Sequence, residues 1–179
     1  MRGARWLFLI VLLAALAVGG SVLAEDDAAD ERARQLLRDQ HLIQDLVDSG
    51  VRLAAEDDPL RRADHCNRLA ERLGKEIKLA ITKKDSKRAA QFGKHMQALL
   101  VRGVAGNLAV VKNSLGPDSP REREAELARL GKQSIGFTQD LQNEVNSHPE
   151  LEQDQRTLQD IITDGQKKIT QAIQGKDKQ

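Results

Sequence analysis

The chain of 179 residues contains no tyrosine, one tryptophan and three phenylalanines. Trp6 and Phe8 fall in an N-terminal apolar run, so only Phe92 and Phe137 lie beyond it. Binding single-stranded nucleic acid by base stacking needs several exposed aromatic faces. This composition excludes that, and no nucleic-acid partner is expected. Lysine and arginine number 28 against 27 acidic residues, so the molecule as a whole has no field that would gather a polyanion. Cys66 is the single cysteine, which excludes an intrachain disulfide. At about 100° per residue it shares a helix face with Ala63, Ala70, Leu73 and Ile77. That setting suits a buried thiol acting as a small hydrophobe, not an activated nucleophile.

Chemistry-bearing motifs are absent as well. There is no phosphate-cradling glycine loop, no Cys-x-x-Cys, no Cys-x-x-Cys-His and no His-Glu-x-x-His. The inward Glu-x-x-His of carboxylate-bridged metal bundles is missing too. The chain therefore reads as a non-enzyme without a cofactor. Its histidines are His41, His65, His95 and His148. If consecutive helices run antiparallel, His41 and His95 fall at similar heights, which makes them the pair able to share a metal. Both project away from their apolar stripes, where a solvated histidine is the commoner outcome. His148 sits in a last helical turn, within reach of the final carbonyls.

What is present begins with an export signal. Arg2 and Arg5 precede an apolar run from Trp6 to Val18, followed by Val22-Leu23-Ala24 and the acidic Glu25-Asp26-Asp27. This is the layout of a secretory signal peptide, residues 1–24, cleaved after Ala24. The mature chain is then expected to be soluble in the periplasm or outside the cell. No later apolar run reaches the roughly 20 residues a bilayer span needs.

The remainder reads as one all-α domain over residues 25–174 with a frayed tail at 175–179. A first helix, about Asp27 to Ala55, has the stripe Ala29, Ala33, Leu36, Leu37, Ile43, Leu46, Val47, Leu53 and Ala54, spaced for one buried face. Asp58 and Pro59 supply an N-cap and a first helical residue for a second helix running to about Ile81. Lys83-Lys84-Asp85 is a turn, and a third helix spans about Ser86 to Leu115. Within it Ala98–Val111, ALLVRGVAGNLAVV, is apolar on every side and predicts a helix buried all round. Gly103 and Gly106 predict close approach of a neighbouring helix, and Asn107 a hydrogen-bonded amide inside the bundle. Ser119 to Glu122 reads as a capping box, as does Ser147 to Glu150. The helices these open bury Leu127, Leu130, Phe137, Leu141 and Val145, then Leu151, Leu158, Ile162, Ile169 and Ile173. With short connections, four to five such helices form an up-and-down antiparallel bundle.

Charge is unevenly distributed. Residues 61–94 hold eleven Lys/Arg and four Asp/Glu, and residues 118–164 hold five and eleven. Two explanations stand: the halves complement each other within the bundle, or the basic half meets a partner. Arg61, Arg68, Arg72 and Lys75 project within about 60° of one another on the second helix, opposite its core stripe. They are the candidate partner-binding residues. Asp64–Arg68 and Glu71–Lys75 have the spacing of helical ion pairs.

Asp58–Glu71, DPLRRADHCNRLAE, resembles a stretch of exported all-helical bacterial envelope proteins of the domain-of-unknown-function type, a Pro-started helix reading D-P-x-x-R-A and then L-A-E. The resemblance implies an envelope protein tied to cell-surface stress regulation. Helical periplasmic chaperones with Leu-Thr-x-x-Gln motifs are a second comparison, and those motifs are missing here. The expected function is a non-enzymatic interaction module for an unidentified protein or envelope component. A holdase-like chaperone and a metal- or small-ligand-binding bundle are the alternatives.

Overall fold

A computed structural model of the chain describes residues 3–116, 119–148 and 152–174, with side chains for 29–116, 119–148 and 155–174. The elements are α1 (Gly3–Ala55), α2 (Pro59–Thr82), α3 (Ser86–Ala98), a π-helical segment (Leu99–Ala105), α4 (Gly106–Ser114), α5 (Arg121–Asn146) and α6 (Glu152–Gln174). Among the described residues there is no strand, and the protein is an all-α bundle. No described helix is long and apolar enough to cross a membrane. The chain divides into two compact units, residues 1–48 and 49–179. The first is most of α1. The second holds the last turns of α1 and all the other helices.

Two helical hairpins build the second unit. Asp58 caps α2 by accepting the Leu60 N–H at 3.2 Å, with Pro59 beginning the helix. The turn after α2 puts Lys84 in the left-handed region (φ 57°), and Asp85 caps α3 through the Arg88 N–H. In this antiparallel hairpin Cys66 of α2 lies against Gly103 of the π segment. The second hairpin is α5 and α6, joined side by side by Gln159 Nε2 donating to Asn146 Oδ1 at 2.8 Å. Between hairpins the helices run parallel. Asp58, Asn67 and Gly74 meet Arg123, Ser134 and Leu141 in rising order, and Gly93, Gln97 and Leu100 meet Leu158, Asp164 and Gly165. The connection after α4 therefore carries the chain across one end of the bundle.

The core contains Ile77, Leu100, Leu108, Leu130, Leu158, Ile162 and Ile169, all under 2% exposed. Each such side chain contributes about 1.5–3 kcal/mol on burial. Met96, Leu100, Val104 and Leu108 are each 0% exposed although spaced by fours. In a regular α-helix each step of four advances the side chain by about 40°, which would carry this row off a single face. The wider i→i+5 turn of the π segment returns it to the core.

Four expectations change. Ala98–Val111 is not buried all round: Ala98, Arg102, Gly106 and Val110 form an outward row, with Val110 54% exposed. Each helix of a four-helix bundle keeps one face to solvent, even an apolar one. Gly103 does meet a neighbour, since a Cβ there would stand 2.5 Å from Cys66 Sγ and 2.8 Å from its Cβ, but Gly106 faces outward and meets none. Asn107 is half-buried, and its amide donates to the Gly103 carbonyl at 2.6 Å, within its own helix. The predicted stripe of α1 is largely outward as well. Leu36, Leu37, Ile43 and Val47 are exposed, and Leu42, outside that stripe, is 5% exposed. The helix carries apolar residues on two faces, and periodicity alone does not choose between them.

The capping boxes also differ. Ser119 accepts the Gly116 N–H at 2.7 Å, closing the turn after α4, and α5 starts from Pro120 without a side-chain cap. Ser147 instead ends α5, its hydroxyl donating to the Glu144 carbonyl at 2.7 Å. Pro149, Glu150 and Leu151 lie outside the described residues, as do residues 175–179.

Candidate interaction surface

Arg61, Arg68, Arg72 and Lys75 are all exposed on α2, opposite the face that buries Ala63, Cys66, Ala70, Leu73 and Ile77. They are not equivalent. Arg61 lies 3.9 Å from the Glu56 carboxylate, Arg68 pairs closely with Asp64, and Arg72 is also engaged. The expected Glu71–Lys75 pair is replaced. Glu71 Oε1 accepts from Asn67 Nδ2 at 3.2 Å and from Gln133 Nε2 of α5 at 2.9 Å. Lys75 is left without a carboxylate partner among the described residues, and so is Lys78 one turn on.

A polar clamp holds α2 against α5. Asn67 and Ser134 are both 0% exposed, and the Ser134 hydroxyl lies 2.6 Å from Asn67 Oδ1 and 2.9 Å from the Leu130 carbonyl. Thr138, also fully buried, donates back within α5 toward the Ser134 carbonyl. At the start of the two helices Arg123 Nη2 donates to Asp58 Oδ1 at 3.0 Å. This ion pair joins a cation of the acidic stretch 118–164 to an anion that lies outside the basic stretch 61–94.

Two turns beyond the clamp Gly74 of α2 faces Leu141 of α5. A groove of about 180 Å³ opens there, lined by Glu71, Gly74, Lys75, Lys78, Phe137, Asp140 and Leu141. Its floor is apolar, with Leu141 fully buried and Phe137 half-buried, short of the full burial expected. Lys75 alone belongs to both the basic strip and the groove. Of the other lining residues, Gly74 carried a readable signal: a glycine inside a capped amphipathic helix costs about 1 kcal/mol relative to alanine and calls for a reason.

The remaining candidates are placed as follows. His41 and His95 are both exposed and belong to separate units. Among the described residues no three His, Cys, Asp or Glu side chains converge as a metal site would require. His148 Nε2 lies 3.4 Å from Glu144 Oε1 one turn back on α5. Cys66 is 1% exposed, and burial pushes its thiol above the ordinary range, with Arg62 opposing weakly. On the solvent side of α5 the hydrogen bond from Arg129 holds the Glu126 carboxyl low.

No protein-family model, curated protein or solved structure matches this chain. The functional reading therefore stands on the residues themselves.

Proposed function

We propose that this chain is a non-enzymatic helical protein of the bacterial envelope that engages a protein or envelope component through the outer face of α2. The carrying observation is the exposure of Arg61, Arg68, Arg72 and Lys75 along one strip, with Lys75 unpaired at its end. Exposed charges raise encounter rates and select partners by complementarity more than they stabilise a fold. The signal-like sequence at 1–24, with a cleavage site expected after Ala24, supports a location in the periplasm or the exterior. The likeness of Asp58–Glu71 to exported envelope proteins agrees with that placement. Cross-linking in the native envelope, followed by identification of the captured component, tests the reading: capture that depends on the α2 strip supports it.

A second reading, a holdase-like chaperone, draws on α1, where Leu36, Leu37, Ile43 and Val47 are 58–70% exposed. Apolar side chains gathered on one element mark interaction surfaces for other apolar chains. A dye that reports apolar surface should brighten on the native protein and lose that gain in Ile43→Gln/Val47→Gln. An unchanged dye signal on the native protein removes this reading.

A further inference from the structure

We propose that the α2–α5 groove seats one apolar side chain of an acidic peptide, whose carboxylates pair with Lys75 and Lys78. This rests on the reading of α2 as the partner-binding face and names the partner's chemistry. The groove's floor is Gly74, Phe137 and Leu141, and its volume is about 180 Å³. Sites for drug-sized ligands are roughly 300–1,000 Å³, so this one fits a single side chain.

Gly74 keeps the groove open. A Cβ at that position would stand 3.8 Å from Leu141 Cδ2 and 4.0 Å from Phe137 Cε2, ordinary contact distances with room to spare. At Gly103 the equivalent atom would run into Cys66. Close packing therefore explains Gly103 and does not explain Gly74. Phe137 gives the same indication: one of two phenylalanines beyond the N-terminal run, it is only half-buried and lines the groove.

The walls determine the charge of the occupant. Glu71 is held by Asn67 and Gln133 and forms no ion pair with Lys75, although its carboxylate also lines the groove. The α2 wall thus presents two ammonium groups without carboxylate partners among the described residues; Arg72 and Arg68, both already engaged, lie further back along the helix. From Arg68 to Lys75 the helix rises about 10 Å, which an extended peptide covers in about three residues. An occupant with carboxylates flanking one apolar residue meets both the strip and the groove. Asp140 on the opposite wall and Glu71 on the α2 wall disfavour a carboxylate beside them and direct the acidic groups of the peptide to Lys75 and Lys78.

The test is a titration of ¹⁵N-labelled mature protein with the synthetic peptide acetyl-Glu-Ser-Glu-Leu-Glu-Ser-amide. Amide shifts should move at Gly74, Lys75, Lys78, Phe137 and Leu141, and the effect should weaken as salt is raised. Gly74→Leu, which fills the groove, should weaken binding by about tenfold or more without lowering the melting temperature. Lys78→Gln and a peptide with Ser in place of Leu should each weaken it too. Equal affinity of Gly74→Leu and wild type would overturn the groove; so would the absence of shifts at these five residues with millimolar peptide. Both outcomes are separable from failure of the α2 reading, which is judged by capture from the envelope with Arg61→Gln, Arg61 lying outside both the groove and the span from Arg68 to Lys75 that the peptide covers.

Discussion

Ser134 Oγ of α5 lies 2.6 Å from Asn67 Oδ1 of α2, both side chains fully buried. Seven residues further along each helix stand Leu141 and Gly74, on the floor of the groove. The contact holds two parallel helices in register two turns before the groove, so the site's geometry depends on a polar pair in the core.

Ser134→Ala should therefore leave the Asn67 carbonyl oxygen without its donor and destabilise the fold by about 1–3 kcal/mol. Asn67→Leu combined with Ser134→Ala removes both polar groups, and should recover a large part of that loss. Urea denaturation of the two single variants and the double variant measures the coupling. Additive losses would mean the pair does not act as a unit.

The interior glycines of α2 and the π segment should respond in opposite directions. Gly103→Ala forces a Cβ against Cys66 and should cost about 1–3 kcal/mol by overpacking. Gly74→Ala places the same atom at ordinary contact distances and should stabilise by about 0.4–1 kcal/mol. Thermal melts of both variants check the contrast.

Cys66 should resist thiol reagents in the native protein and react at once in denaturant, because burial both shields it and raises its pKa. The folded chain holds the thiol proton to higher pH than the unfolded chain does. Its contribution to stability is thus complete below the ordinary thiol pKa of about 8.5 and is lost as pH rises through the raised value. Cys66→Ala should flatten the alkaline limb of the stability profile relative to wild type.

Most of the helices were legible because caps, turns and three-to-four spacing are local properties. Asp58-Pro59 marked the start of α2, and Leu127, Leu130, Leu141 and Val145 marked the inward face of α5. The outward row of Ala98, Arg102, Gly106 and Val110 was not legible, since an apolar residue at the surface has the same sequence signature as one in the core. Burial on α1 was misjudged for a related reason, two apolar faces competing for one role. The basic strip could be placed from the helical wheel. The groove could not, because its lining comes from α2 and α5, two helices distant in sequence whose parallel packing no local pattern reports.

The most direct test of the proposed role is capture of the envelope partner by the fourfold variant Arg61→Gln/Arg68→Gln/Arg72→Gln/Lys75→Gln. Exposed ion pairs add little to stability, so the variant should melt near the wild-type temperature. Cross-linked partner should fall sharply, and wild-type capture should fall with added salt, since surface charges are screened beyond about 8 Å at physiological ionic strength. Undiminished capture by a variant with lowered thermal stability would contradict the account and assign these cations to internal charge balance.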